Sequence, residues 1–453
     1  MRKDPKTDRA AKILSRLDRI PVWAFPASFL AIIGLGYFFT FFDITNIGLA
    51  MPAIAAQFGL TGSESLFIAL AVGLIGYIIG SYLIGSIADR RGRIKMMALT
   101  MALTAIGSFG DALAGGVFTL ALWRFITGMG VGASLNLVST YLGELSPPGR
   151  RGRIAVLTFL IGIMGQAVTP FVAFALVPNF LIGWRILFAI GGSVAAIAGC
   201  LMLILPESPR WLALHGRLDE AENIVGSMEK FTAGKGIRLP RPQKTEMDAS
   251  RGRFPTAYLF HRKYAKRLAL FASMWFFWYF GNYAFLGDAA TIISSHGITI
   301  ANSILFFAVG AVGYPVGAVV MLSIVDRFER KHMIFVSSAI WLCGMLLIAS
   351  LANDYVIMFG TFLASFALGL YLQIAYTYTA ESYPTRARSS GFALSDGLGH
   401  LGGAIGALAL PIMVSTLGFG AGFAAIGITG LVAGTIALSG PRSSGLALEK
   451  VSG

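Results

Sequence analysis

Twelve stretches of roughly 20 apolar residues run through this chain, each long enough to cross the hydrocarbon core of a bilayer as a helix. They lie at about 27–51, 66–87, 95–114, 117–142, 154–177, 185–205, 267–289, 302–324, 333–352, 355–379, 390–414 and 419–438. Twelve such segments cannot all hide inside one water-soluble domain. Composition decides the same way. The chain is 56% hydrophobic and 13% charged, where a soluble domain carries about 25% charged residues. Backbone polar groups in lipid must be satisfied within the segment, and helices do this. The expectation is an all-α integral membrane protein of twelve transmembrane helices. Its 55 glycines suit helices that approach closely in lipid.

Charge then sets the orientation. Of the 36 Lys and Arg, all but Arg124 and Arg185 fall in 2–19, 90–95, 150–153, 210–267, 327–331, 386–388 and 442–450. These segments share one side if every apolar run spans. Basic residues collect on the cytoplasmic side, so both termini are expected in the cytoplasm of a multi-pass cell-membrane protein. The net charge of +14 is thereby an orientation signal and not a nucleic-acid footprint.

The chain divides into a cytoplasmic segment 1–26, a six-helix bundle 27–205, a linker 206–266, a second bundle 267–440 and a tail 441–453. The linker opens with Leu218, Ala221, Ile224, Val225 and Met228 at helical spacing, which predicts a surface helix. It serves as a latch between the halves or as a plain connection. Phe231–Pro255, with Pro240 and Pro242, is expected to hold little fixed structure. Cys200 and Cys343 sit in apolar runs and are expected to pack as small hydrophobes, unbridged.

A duplication orders the whole. Asp89 and Asp326, Arg90 and Arg327, Arg93 and Arg330, Gly132 and Gly369, Glu144 and Glu381, Pro147 and Pro384, and Arg151 and Arg388 are all 237 positions apart. Charges are scarce here, so one shared offset makes the two halves copies. Parallel repeats with a midplane site between them are a transporter architecture.

At these residues the sequence resembles the major facilitator superfamily over nearly its full length. Gly85-Ser86-Ile87-Ala88-Asp89-Arg90-Arg91-Gly92-Arg93 is similar to the superfamily's loop motif between helices 2 and 3, and Arg124 with Gly128, Gly130 and Gly132 to its helix 4 motif. Pro206-Glu207-Ser208-Pro209-Arg210-Trp211-Leu212 resembles the signature after helix 6 in the branch of sugar porters, organic-ion and synaptic-vesicle-2-like transporters and aromatic-acid–proton symporters. The resemblance implies two pseudo-symmetric six-helix bundles, the major facilitator fold. Helix 7 departs from the sugar porters: Phe277 and Trp278 replace their glutamine pair, which points away from a hexose.

Three groups of residues carry candidate chemistry. Asp89, Arg93, Glu144 and Arg151, with their copies Asp326, Arg330, Glu381 and Arg388, stand at cytoplasmic span ends. They suit an inner gate that forms and breaks as the halves rock, or simple anchoring by solvated charge. Asp43 in helix 1 and Arg124 in helix 4 lie at compatible depths in the outer half, where ionisable groups are costly. They form a proton-coupling pair or a static ion pair. The resemblance favours coupling, since xylose–proton symporters of the family carry such an Asp and Arg.

The third group lines a central cavity. Asp396 and His400 are one turn apart on helix 11, and His400 titrates near neutrality. The resemblance puts His400 where related transporters vary an Asp or Arg with substrate charge. Gln166 stands at the sugar porters' helix 5 glutamine. Trp278, Asn282, Tyr371 and Gln373 offer ring faces and polar edges for a planar ligand, or ordinary packing. Asp111, Arg185, Asp288 and Asp354 fall near outer span ends and are expected to snorkel to water.

The sequence carries no metal-ligand cluster, phosphate loop or catalytic triad, so neither cofactor nor enzymatic activity is expected. The expected function is proton-coupled symport of a small organic solute, favouring an organic or aromatic carboxylate, by a monomer whose partners are solute, protons and lipid. A sugar porter or uniporter, an organic-cation or drug transporter, and a non-transporting receptor remain as alternatives.

Overall fold

The structure, a computed structural model, describes residues 5–60, 67–242, 259–294, 300–325, 327–383 and 388–443. The first half holds α2 (Ala27–Phe58), α3 (Gly73–Arg91, entered through a π-helical turn at Phe67–Val72), α4 (Arg93–Leu113), α5 (Val117–Leu145), α6 (Arg151–Leu176) and α7 (Gly183–Met202), preceded by α1 (Pro5–Asp18). Two linker helices follow, α8 (Pro209–Leu214) and α9 (Leu218–Gly234). The second half holds α10 (Arg262–Ser294), a span broken into α11 (Ile300–Ala311) and α12 (Gly313–Ile324), then α13 (Arg330–Ala349), α14 (Asp354–Glu381), α15 (Arg388–Leu417) and α16 (Phe419–Leu438).

Ten of these spans are long and apolar enough to cross a membrane on length and composition alone. The other two have visible reasons to read as more polar. Helix α3 ends in Asp89, Arg90 and Arg91, and α10 opens on Arg262, Lys263, Lys266 and Arg267 and is rich in Trp and Tyr. The outer surface is apolar, as lipid requires. Ile75, Ile79 and Leu83 form an exposed stripe along α3, one turn apart. Cys200 and Cys343 are free and also face outward; their apolar helices present them to the surface and not to a packed interior.

The duplication is physical. Helix α3 packs on α5, and α4 on α5 and α7; α12 packs on α14, and α13 on α14 and α16, in the same arrangement. The contacts repeat at the 237-residue register. A Cβ on Gly76 would stand 2.2 Å from the Phe125 carbonyl oxygen, and one on Gly313 2.4 Å from that of Phe362. Only glycine lets these backbones come so close. The halves meet along a seam where α15 lies on α3 and α12 on α6.

On the side of the basic segments the linker binds the first half. Glu207 accepts hydrogen bonds from the backbone N–H groups of Arg93 (2.9 Å) and Ile94 (3.3 Å), placing a carboxylate on the positive end of α4. The approach needs Gly92, whose φ is +102° and whose Cβ would lie 2.3 Å from a Glu207 oxygen. Trp211 Nε1 donates to the Asp89 carbonyl at 3.0 Å, and Arg210 Nε to that of Glu144 at 3.2 Å. The signature after the sixth span is therefore a clip between linker and loop motifs.

Helix α9 buries Leu218, Ala221, Val225 and Met228, as its spacing predicts, and remains helical through Phe231–Gly234, further than expected. Helix α1 buries Ala10, Ile13, Leu14 and Leu17. Its other face is tied to α9: Arg9 pairs with Asp219 (2.6 Å) and Glu222 (2.8 Å), Arg16 with Glu222 (3.0 Å) and Glu229 (2.7 Å), and Arg19 with Glu229 (2.6 Å). Arg210 pairs with Asp18 just beyond. The polar N-terminal segment is thus an ordered clamp.

Candidate functional site

Asp43 and Arg124 meet on α2 and α5, in the half of the first bundle away from the basic segments. Arg124 Nη1 lies 3.3 Å from Asp43 Oδ2, and both side chains are buried. Asp43 Oδ1 accepts further bonds from Ser108 Oγ (2.8 Å) and Asn46 Nδ2 (3.3 Å). The pair borders a small cavity with room for a water or two, lined by Asp43, Ile47, Gly73, Tyr77, Arg124 and Tyr283. Tyr283 comes from α10, so the cavity opens on the seam between the halves.

Sequence reasoning missed one member of this cluster. Asp111 does not snorkel. It is fully buried, its Oδ2 is 3.6 Å from Arg124 Nη1, and it accepts from Thr127 Oγ1 at 3.3 Å. The tight hairpin Ala114–Gly116 folds α4 back on α5, and Arg124 is long enough to reach toward it. Two opposite charges flanking so short a turn in an apolar stretch were the signal. Arg185 turns to the Ala112 carbonyl at 2.7 Å, and the Asp288 side chain lies outside the described residues.

Across the seam, Asp396 is held by two tyrosines. Tyr77 on α3 donates to its Oδ2 at 2.7 Å, and Tyr279 on α10 to its Oδ1 at 2.7 Å. His400 Nδ1 lies 2.8 Å from the Asp396 carbonyl oxygen and 3.7 Å from its carboxylate. The Tyr77 ring stacks on the His400 ring at 3.7 Å, with Tyr279 at 4.0 Å and Tyr283 at 5.6 Å. In this conformation the imidazole is boxed by rings from both halves. None of the three tyrosines stood out in the sequence, because an aromatic in an apolar run carries no mark of the face it occupies.

The remaining cavity candidates are buried. Gln166 interacts with Tyr314 across the α6–α12 seam. The face of Trp278 is already covered: it stacks on Tyr371 at 3.5 Å with planes 3° apart and lies tilted at 53° to Trp341 at 5.5 Å. Four of their buried polar atoms have no hydrogen-bond partner among the described residues, namely Trp278 Nε1, Asn282 Nδ2, the Tyr371 hydroxyl and Gln373 Oε1. Gln373 also borders a second small cavity nearer the basic side, with Ser139, Arg151, Thr377 and Glu381.

Among the described gate candidates, an Arg–Glu pair forms within each half. Arg93 reaches Asp89 (2.6 Å) and Glu144 (3.0 Å), and its copy Arg330 reaches Glu381 through two bonds of 2.6 and 2.9 Å. The same Arg–Glu bond thus recurs at the repeat offset. Arg151 Nε donates to the Ser146 carbonyl at 3.4 Å. Asp326 and the Arg388 side chain lie outside the described residues. No cluster of three or more possible metal ligands occurs among the described residues.

The chain is similar to known proteins over nearly its whole length. A family model described as sugar (and other) transporter matches residues 27–452. The niacin transporter NiaP of Acinetobacter baylyi is 28% identical over 448 residues, covering 97% of this chain and 99% of that one. The gallate transporter of Pseudomonas putida is 26% identical over 444 residues, covering 94% and 96%. The solved structure of the proton:xylose symporter XylE bound to 6-bromo-6-deoxy-D-glucose matches with a TM-score of 0.76 over 94% of this chain and 99% of that one, at 20% identity, which is a likeness of fold.

Proposed function

The chain belongs to the sugar (and other) transporter family of the major facilitator superfamily, multi-pass membrane transporters and not enzymes, and from that premise we propose that it carries a small aromatic or organic carboxylate together with protons. The observation that carries the reading is the buried Asp43–Arg124 pair on a seam cavity. A carboxyl that alternates between a guanidinium partner and water changes its proton affinity as it moves. Proton binding at Asp43 releases Arg124 and biases the rocking of bundle 27–205 against bundle 267–440, with both termini in the cytoplasm. The inner gate is Asp89, Arg93, Glu144 and Arg151 with their copies.

The carboxylate preference rests on the central donors. Trp278 Nε1, Asn282 Nδ2 and the Tyr371 hydroxyl are buried and unpartnered, and the Trp278 and Tyr371 rings stack on each other. A carboxylate accepts from such donors, and two relatives are named as transporters of niacin and of gallate. His400 and Asp396 then tune the charge the cavity accepts, and Gln166 and Gln373 supply further polar contacts.

The test is uptake of radiolabelled nicotinate, gallate and D-xylose into proteoliposomes under an imposed pH gradient. Accumulation of an acid, abolished by a protonophore and by Asp43→Asn while exchange persists, is the expected result. Accumulation unchanged by Asp43→Asn refutes the coupling, and transport of D-xylose alone refutes the carboxylate preference.

A further inference from the structure

Two carboxyls, not one, face Arg124. Asp43 Oδ2 is 3.3 Å and Asp111 Oδ2 3.6 Å from the same Nη1. With both ionised, the cluster would carry a net charge of −1 inside a membrane bundle, where uncompensated charge is expensive. Like-charged carboxyls sharing one site resolve this by holding a proton between them. The two are unequally served. Asp43 takes bonds from Arg124, Ser108 and Asn46. Asp111 takes one weak bond from Thr127 and the longer ionic contact, and its Oδ1 is buried with no partner.

The repeat supplies a second observation. At the 237-residue offset Asp111 and Arg124 stand opposite Ile348 and Thr361. Packing keeps that register, since Cβ atoms on Gly107 and Gly344 would both press on the partner helix, at Thr127 and Ala364. One half builds the same bundle with no charge at these positions, so the fold does not require the pair.

Building on the coupling proposed above, we infer that Asp43, Arg124 and Asp111 bind one exchangeable proton as a unit, and that in this conformation it sits on Asp111. Asp43 is then the ionised partner of Arg124, and a single transport cycle moves one proton through two carboxyls. Loss of the proton from Asp111 leaves two anions on one guanidinium. The proton passes to water at the seam cavity, or to Asp43 once Arg124 turns from it. The other ionisable groups around the cluster are Arg185 on α7, turned to the Ala112 carbonyl and over the Trp184 ring, and Tyr77 and Tyr283 at the cavity wall.

The experiment needs no solute: pH-difference infrared spectra of the purified protein in lipid, read for protonated-carboxyl bands. One band should vanish as pH rises in the wild type and be missing from both Asp111→Asn and Asp43→Asn, because either leaves a neutral Arg–Asp pair. Asp111→Glu should shift the band and Asp43→Glu leave it in place; this arm stands alone if an Asn variant fails to fold. A band kept in Asp111→Asn but lost in Asp43→Asn overturns the shared proton while leaving coupling at Asp43 intact. A band kept in both removes both ideas.

Discussion

Replacing Tyr77 by Phe removes one hydroxyl and little else. The ring still stacks on His400, and Asp396 keeps its second donor, Tyr279. What disappears is the 2.7 Å bond from α3 to Asp396 on α15, which bridges the two halves. A hydrogen bond to a charged group contributes about 1.5–3 kcal/mol. This one exists only while the seam is closed, so its loss acts on the closed state alone. At about 1.4 kcal/mol per tenfold, the open population should rise roughly 10- to 100-fold. Ile47 lines the seam cavity and is buried. With the two outward-facing cysteines removed, Ile47→Cys reports opening by its maleimide labelling rate. Tyr77→Phe should raise that rate by the same factor. A change below twofold would show that the Tyr77–Asp396 bond does not hold the halves together.

Two further outcomes follow from buried and surface charge. Arg330→Gln leaves Glu381 without the partner it holds at 2.6 Å; breaking a buried pair costs about 3–5 kcal/mol, so Tm should fall, and Arg330→Gln with Glu381→Gln should recover most of the loss in a thermal-unfolding scan. The α1 clamp should open in acid. The hydrogen bond from Arg9 holds Glu222 below its ordinary 4.5; burial pushes Glu229 up, but the bonds from Arg16 and Arg19 outweigh it and leave that group lowered too. Depressed carboxyls stabilise the docked helix above the unfolded value and lose that contribution as pH falls through the folded one. Spin-label distances between α1 and α9 should hold from pH 8 to 6 and lengthen below about 4.5; distances unaffected by acid would refute an electrostatic clamp.

Much of the architecture was legible. Apolar run length depends only on composition along the chain, so the spans were readable from sequence. Rare charges at one offset exposed the duplication, and the structure repeats Arg93–Glu144 as Arg330–Glu381. Asp43 and Arg124 were legible because an ionisable residue in lipid depth needs a partner at the same depth. Asp111 was misread, since distance from a span end does not tell which way a side chain turns. The amphipathic N-terminal helix was missed because its polar residues masked a short apolar face.

The spans and the twofold repeat follow from one-dimensional facts, because lipid forces each segment to satisfy its own backbone. Which face of each helix meets the seam is a different matter. It depends on where Gly76, Gly132 and their copies let neighbouring backbones close up, and that rotation is shared among helices far apart in the chain. Tertiary packing therefore decided that Asp111 joins Asp43 on one guanidinium, that Trp278 lies against Tyr371, and that Tyr77 reaches Asp396 across the seam.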